Sequence, residues 1–393
     1  MDTPLPQHKA LGARVLDVDW LRILATLLIV VYHTSRLLDD MEGWHFKNPQ
    51  LTSVLMYPGA IGAQFMMPLF FLLSGISTRY ALGSRAVRDF LRKRFLRLVV
   101  PVMTLGWFIF SPPQVYIEAS TAQNYNAPTF VGTFWQFLPH YFMDGIYGRG
   151  GYFALTGVHL WYLFWLFWFT MWLLPVFLHL RTERGQRLLG RLAGCMQRPG
   201  LVLLLGLPMA LSEGLFRARH IAFLSWDEGG WVLGTHWVVL FLGYLLASEP
   251  RLRAAMRAHR WVALLVAVAA LVPLAIWAPN MDSLVAGSWA YWGFWTLRSI
   301  NGCWWLVAIL GFASAHLSFP HPVLAIVGPA VMPTYMLHQP LIIVLGYALR
   351  FWAPPLIAKC LLILALVVVL CVVLYQFVIR RSRLLRFCFG LSN

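Results

Sequence analysis

Long apolar stretches recur along almost the whole 393-residue chain and alternate with short polar segments. Ten of these stretches are long enough to cross about 30 Å of hydrocarbon as helices. They cover approximately residues 16–36, 57–80, 95–110, 159–180, 200–216, 231–248, 260–278, 296–316, 329–349 and 355–379. The pattern predicts an all-α polytopic membrane protein with about ten transmembrane helices.

Composition agrees with this fold class. The chain is 60% hydrophobic and only 12% charged, whereas soluble domains carry roughly twice that charge fraction. No polar stretch is long enough for a second soluble domain, so we predict a single membrane domain over residues 1–393, with a core at about 16–379 and short tails. The first apolar run has no small-residue cleavage pattern after it, which indicates a permanent span rather than a signal peptide.

Basic residues give the expected orientation. Lys9 and Arg14 precede the first span, and 22 of the 31 Lys and Arg residues fall in loops on the same side as these two. The excess of positive charge in cytoplasmic loops therefore predicts that both termini are cytoplasmic. The net charge of +16 is explained by these loops, so nucleic acid is not an expected partner. The five cysteines show no Cys-x-x-Cys spacing, and we expect neither a disulfide framework nor a metal site.

Ionisable residues within the first span are the first functional candidates, because charge inside a bilayer is costly. Arg22 and His33 are eleven residues apart, which places them on one helix face about 16 Å apart. Asp19 is three residues before Arg22 and is expected to pair with it. The imidazole of His33 suits a general base near neutral pH. The structural alternative is an interfacial ion pair with a histidine bonded to a neighbouring helix.

Arg94 and Arg97 are three residues apart and lead directly into the third span. Such a pair is suited to binding phosphate oxygens, although ordinary positive-inside charge is an alternative. In the second span, Ser74 and Gly75 are expected to permit close helix packing; Ser74 as a substrate contact is a weaker candidate.

Three polar residues in later spans are candidate substrate contacts, and of these His159 lies at the outer end of its span. His159 opens the fourth span, and Tyr335 and His338 lie in the ninth, which is interrupted by prolines. For His338, lining a cavity and bonding between helices are both open. Glu213 and Arg298 also fall in outer halves of spans and could meet. The connection over roughly 111–158 is rich in aromatic residues and is expected to lie on the membrane surface.

These residues resemble the acyltransferase 3 family of bacterial membrane acyltransferases, including its glucan biosynthesis protein C-like branch. The resemblance runs from Asp17 to about Gln376. The shared motifs are Arg22 with ten residues before His33, Phe70-Phe-Leu-Leu-Ser-Gly75, Arg94-x-x-Arg97, His159-Leu-Trp-Tyr-Leu163 and Tyr335-Met-Leu-His-Gln-Pro340. One departure is Phe164, which stands where relatives commonly have Glu.

The resemblance implies a ten-helix bundle in the inner membrane that moves an acyl group from cytoplasmic acyl-CoA to a hydroxyl of an extracytoplasmic acceptor, often a carbohydrate or a lipid-linked sugar. It implies that His33 is the essential histidine, that Arg22 is its motif partner, and that Arg94 and Arg97 bind acyl-CoA. Asp19 or Arg22 is expected to set the orientation of His33 or to line the path of the acyl donor. A non-enzymatic transporter or flippase of a sugar- or lipid-linked substrate is the alternative. The acyl group, the acceptor, an acyl-enzyme intermediate and the oligomeric state all stay open.

Overall fold

The computed structural model describes residues 15–83, 85–123, 125–278 and 283–391, and most of them are helical. The basic residues Lys9 and Arg14 lie outside this part of the chain. The α-helices are α1 (Leu16–Arg36), α2 (Met56–Ala63), α3 (Met66–Leu82), α4 (Val87–Pro101), α5 (Ser111–Ser120), α6 (Phe134–Met143), α7 (Trp161–His179), α8 (Glu183–Met196), α9 (Leu207–Arg219), α10 (Leu233–Ser248), α11 (Pro250–Ala269), α12 (Leu271–Trp277), α13 (Trp289–His316), α14 (Pro322–Val327), α15 (Val331–Ala348), α16 (Leu356–Val373) and α17 (Arg383–Cys388). Strands β1 (Asp227–Glu228) and β2 (Trp231–Val232) form a small antiparallel hairpin.

Short 3₁₀ and π segments join or extend these helices. The 3₁₀ turns are Ser53–Leu55, Val158–Leu160, Leu201–Gly206, Ala222–Ser225, Gly328–Ala330 and Ile379–Arg381, and the π-helical segments are Val102–Phe110 and Leu374–Val378. Each of the ten segments predicted from the sequence is built mainly of helix.

Six helical stretches are long and apolar enough to cross a membrane. They are Ser53–Leu82, Val87–Ser120, Val158–His179, Leu201–Arg219, Pro250–Trp277 and Leu356–Arg381. Together with the almost complete absence of sheet in the described residues, they establish a helical polytopic membrane protein.

The third predicted span is longer in the structure than its apolar pattern indicates. Helix continues from α4 through a π-helical segment into α5, and Pro112 and Pro113 stand in the first turn of α5, directly after the π-helical segment. The remainder of the 111–158 connection contains α6, which begins with a capping box formed by Thr133 and Gln136. The connection therefore has regular structure that periodicity did not reveal.

The described residues form two compact units, the first within 1–22, 63–87 and 169–324 and the second within 23–62, 88–168 and 325–393. In the first unit, α3 and α10 pack with their backbones in close approach at Gly75 and Gly243. A Cβ on Gly75 would lie 2.9 Å from the Cα of Gly243, so only glycine fits. This confirms the close packing expected at Ser74-Gly75.

The second unit contains the connection 111–158 and its own hydrophobic core. Side chains of α5 and α6 pack there with those of the following loop, and the buried members are Val115, Ala119, Ala127, Phe137, Tyr141, Tyr152, Ala154 and Val158. Elsewhere in this unit, the absence of a side chain on Gly346 lets Leu37 pack against α15. This packing fixes the loop that follows α1 and the polar side chains described next.

Candidate functional site

Three histidines predicted separately from the sequence meet in the second unit. His33 comes from the last turn of α1, His338 from the middle of α15, and His159 from the turn before α7. The Nδ1 atom of His33 is 2.9 Å from Nε2 of His338, and the two rings are stacked with centroids 5.0 Å apart. The His159 ring stands edge-on to His338 at 5.6 Å. Residues more than 300 positions apart thus form one cluster.

The hydrogen bonds in this cluster fix the position of each proton. Nδ1 of His338 is 2.6 Å from the carbonyl oxygen of Tyr335, which can only accept, so Nδ1 of His338 donates. A neutral His338 then has its lone pair on Nε2, and Nδ1–H of His33 donates to it. The lone pair of His33 consequently lies on Nε2. This nitrogen has no partner among the described residues, and the His33 ring is only partly buried.

Pro340 explains why His159 joins the cluster. Proline has no backbone N–H, so the carbonyl of Met336, four residues earlier, has no helical donor. Nε2–H of His159 supplies the missing hydrogen bond at 2.9 Å. A left-handed turn at Gly157, whose φ is 80°, precedes His159 and directs it toward α15. The sequence indicated that freed backbone groups in this helix need a partner, and His159 is that partner.

The other polar side chains around His159 serve to hold it. The Tyr335 hydroxyl donates to the His159 carbonyl oxygen at 2.6 Å. Gln114 Nε2 donates to the Phe110 carbonyl at 2.7 Å and lies 3.5 Å from His159 Nδ1. Gln339 donates to Gln114 at 3.2 Å. These groups are buried, which makes the histidine cluster a connected hydrogen-bond network.

A second polar group in the same unit had no signal in the sequence. Glu118 is fully buried and accepts hydrogen bonds from His45 at 2.6 Å and from the Tyr147 hydroxyl at 2.7 Å. The backbone N–H groups of Asn126 and Ala127 donate to its other oxygen. His45 and Glu118 are 73 residues apart in segments without a motif, so their association depends on the packing of the 111–158 connection.

An ion pair at the end of α1 orders the loop that carries His45. The Arg36 guanidinium binds both oxygens of Asp39 at 2.8 and 3.0 Å, and both side chains are buried. Lys47 donates to the Arg36 carbonyl at 2.7 Å, which satisfies an acceptor at the helix C-terminus. The loop therefore has a defined conformation next to the histidine cluster.

Asp19, Arg22 and Ser74 belong to the first unit. The predicted ion pair is present, with Arg22 Nη1 2.9 Å from Asp19 Oδ1. Arg22 also donates to the Ser77 hydroxyl, one turn after Ser74. Arg22 and His33 both belong to α1.

Arg94 and Arg97 lie in the first half of the long helical stretch Val87–Ser120. Arg94 is partly buried over the ring of Phe90 at 5.6 Å, and Arg97 is exposed. Seventeen residues separate Arg97 from Gln114, which corresponds to about 25 Å of helix. The arginine pair and the histidine cluster are therefore at opposite ends of one membrane-spanning stretch.

Glu213 and Arg298, which were expected to meet, do so in the first unit. Arg298 Nη1 is 3.6 Å from Glu213 Oε1, and Arg217 Nε is 2.6 Å from the same oxygen. The Arg298 guanidinium lies over the Trp231 ring at 4.0 Å, and Thr235 donates to Glu213 at 2.7 Å. This is a buried charge cluster of the kind that fixes helix packing.

Comparison with known proteins gives a family. A family model described as an acyltransferase domain matches residues 15–376, which includes most of both units and every predicted site residue. No curated protein and no solved structure gave a match. The motifs that suggested a resemblance all lie inside the matched region. The chain belongs to the acyltransferase 3 family of membrane-bound acyltransferases.

Proposed function

We propose that this membrane acyltransferase transfers an acyl group from cytoplasmic acyl-CoA to a hydroxyl group of an extracytoplasmic acceptor, a carbohydrate or lipid-linked glycan, with His33 as general base. The proposal includes an inner-membrane location with both termini cytoplasmic, as the distribution of basic residues indicates. The observation that carries it is the His33 imidazole, whose Nε2 lone pair has no protein partner in the described chain while Nδ1 is held by His338.

Transfer of an acyl group from a thioester to a hydroxyl requires one general base. Nε2 of His33 takes the proton from the acceptor hydroxyl as its oxygen attacks the thioester carbon. The carbon–sulfur bond then breaks, and the imidazolium returns the proton to the CoA thiolate. The products are an ester and free CoA, so protons and electrons balance without a further reagent. A positioned base of this type contributes about 10²–10⁴-fold to the rate.

The separation between Arg97 and the histidine cluster fits a long donor. Arg94 and Arg97 would bind the phosphates of CoA at the cytoplasmic end, where guanidinium groups make strong paired contacts. The extended pantetheine arm would then carry the thioester along the helical stretch toward His33. The role of Arg22 as the motif partner of His33, with Asp19 as its own ion-pair partner, stays a prediction.

The test is consumption of acyl-CoA by the purified protein. Release of free CoA from acetyl-CoA or succinyl-CoA should fall about 10²–10⁴-fold in His33→Ala, with unchanged yield in the membrane and unchanged binding of CoA. His33→Gln provides a control, because it keeps a polar side chain of similar length without a basic nitrogen, and it should be equally inactive. Wild-type protein that moves a sugar-linked substrate without consuming acyl-CoA would instead identify a transporter.

A further inference from the structure

Two neighbouring side chains after α1 have polar atoms without protein partners. Trp44 is only 8% exposed, and its indole Nε1 is buried without a hydrogen-bond partner in the described residues. His45 is buried beside it, and no described residue bonds to its Nε2. An unsatisfied buried donor costs about 1–3 kcal/mol, so such an atom in a native protein calls for an explanation.

The tautomer of a neutral His45 follows from its contact with Glu118. Two backbone N–H groups donate to one oxygen of this side chain, at 2.6 and 2.7 Å, and the Tyr147 hydroxyl donates to the other. Burial, together with the adjacent Glu118 carboxylate, raises the pKa of the Tyr147 hydroxyl well above its ordinary value, so this hydroxyl remains a donor. Nδ1–H of His45 completes the set at 2.6 Å. The lone pair of a neutral His45 is therefore on Nε2.

Trp44 connects this group to the proposed base. Its ring centroid is 5.0 Å from that of His33 and 5.1 Å from that of His45. The Arg36 guanidinium lies 5.7 Å from the same ring and belongs to the ion pair that orders the loop. An unpartnered donor and an unpartnered acceptor thus belong to two consecutive residues whose rings are in contact, and one of these rings also contacts the ring of the proposed base.

We propose that Trp44 Nε1–H and His45 Nε2 bind a hydroxyl of the acceptor and present it to His33, an inference that rests on the proposed function. A hydroxyl fits both atoms because it accepts one hydrogen bond and donates another. An ammonium group has only donors and leaves Trp44 unsatisfied, so the pair selects a hydroxyl over a protonated amine. Glu118 and Tyr147 are positioning residues, since they act through His45.

The aromatic surroundings favour a polyhydroxylated acceptor. The edge of the Tyr125 ring meets His45 at 5.3 Å, and the Tyr147 ring lies parallel to it at 6.3 Å. Aromatic faces combined with a few convergent polar groups are typical of ligand sites, and here they surround groups that bind an uncharged hydroxyl. The acceptor class is therefore a carbohydrate or another polyol.

The experiment separates acceptor binding from donor chemistry. Membrane vesicles containing each variant receive acetyl-CoA or succinyl-CoA labelled in the acyl group, with cellobiose added as a probe polyol. Alkali-labile label on products other than CoA measures transfer to both endogenous acceptors and cellobiose. Free CoA formed by purified protein in the absence of acceptor measures thioester hydrolysis, and binding of CoA to the same protein reports its folding.

His45→Asn keeps an amide N–H near the position of Nδ1 for Glu118 but removes Nε2, whereas His45→Gln places a polar atom near Nε2. Trp44→Phe removes only the indole N–H and part of the ring. We expect His45→Asn and Trp44→Phe to raise KM for the acceptor and lower ester formation about 10- to 100-fold. Hydrolysis and CoA binding should stay within about twofold of wild type, and His45→Gln should recover part of the transfer.

Matched controls come from the same compact unit. His140 Nδ1 is 2.6 Å from Asp144, and Trp107 Nε1 donates to the Leu155 carbonyl at 2.9 Å. His140→Asn and Trp107→Phe make the same chemical changes away from Trp44 and His45, and both should transfer normally.

Normal transfer by His45→Asn and Trp44→Phe would overturn the inference, as would an equal loss of hydrolysis and transfer. If the wild type consumes the thioester but forms no ester product, the assignment of the acceptor group as a hydroxyl is overturned, while the consumption of acyl-CoA stands. If wild type consumes no acyl-CoA, the proposed function fails, and this inference fails with it.

Discussion

The hydrogen bond between His33 and His338 allows a direct test of the proposed base. His338→Asn shortens the side chain so that its amide reaches only the position of Nδ1, where it can still donate to the Tyr335 carbonyl. The acceptor for Nδ1–H of His33 is then lost. His338→Gln extends to the position of Nε2 and can offer an amide oxygen to His33. The two variants therefore differ mainly in whether the proton of His33 is held on Nδ1.

The magnitude follows from the environment of this hydrogen bond. His338 is completely buried, and the bond is 2.9 Å long. Leaving a buried donor unsatisfied costs about 1–3 kcal/mol, and each 1.36 kcal/mol is a factor of ten in rate. Moving the proton of His33 to Nε2 relieves this cost but removes the lone pair from the reacting position. We expect kcat to fall about 5- to 150-fold in His338→Asn, less than in His33→Ala, and to recover substantially in His338→Gln.

The assay is the release of CoA from acetyl-CoA or succinyl-CoA by purified protein, with CoA binding measured in parallel. Because His338 does not touch the donor in this scheme, CoA binding should be unchanged in both variants. Equal activity of His338→Asn and wild type would refute the assignment of the base to Nε2 of His33. Equal inactivity of the Asn and Gln variants with lost CoA binding would show that His338 acts through packing.

Three further predictions concern other parts of the chain. Arg94→Ala and Arg97→Ala should each weaken CoA binding about 10- to 150-fold, because hydrogen bonds to charged groups contribute about 1.5–3 kcal/mol. Isothermal titration calorimetry measures this affinity, with Arg92→Ala at an exposed position as the control. Equal effects of all three substitutions would indicate that only the total positive charge of this segment matters. Glu213→Ala should lower the free energy of unfolding by about 3–5 kcal/mol, because it leaves the buried Arg298 guanidinium without its carboxylate partner, whereas Arg217 keeps its ion pair with Asp227. Thermal or denaturant unfolding in detergent measures this loss, and full stability in the variant would contradict the cluster's structural role. Burial and the neighbouring Asp227 raise the pKa of Glu228 from 4.5 to about 8. Between these two pH values, the Glu228 carboxyl is therefore protonated in the folded state and ionised in the unfolded state. The free energy of unfolding should consequently fall as the pH rises from about 5 to about 8. Thermal unfolding across this range should show a smaller decline in Glu228→Gln, and identical profiles would exclude Glu228 as the cause.

Periodicity and charge were sufficient for the fold class. Ten apolar segments became helices because a backbone in hydrocarbon must satisfy its own hydrogen bonds, which makes helix the only local solution for an isolated apolar segment. The Asp19–Arg22 pair was also predictable, since residues three apart on a helix are neighbours. The close approach at Gly75 followed from the absence of a side chain. Each of these features depends on residues close together in sequence.

The connection 111–158 shows where periodicity failed. Helix α5 is buried on nearly every side, and α6 carries the exposed apolar residues Trp135 and Met143 beside the buried Phe137 and Tyr141, so no single apolar stripe marks either helix. Their core consists of aromatic residues that meet through tertiary packing. The capping box at Thr133 and Gln136 was a local signal for the start of α6.

The sequence by itself determined the helices, the candidate histidines and the arginine pair, because the hydrocarbon solvent and helical spacing act on neighbouring residues. Only the tertiary structure decided which nitrogen of His33 carries the lone pair, that Pro340 gives His159 its acceptor, and that Glu118 holds His45. Each of these depends on a hydrogen bond between residues that are 73 to 305 positions apart in the sequence. Spacing along the chain contains no information about such distances, which are set by how the helices pack.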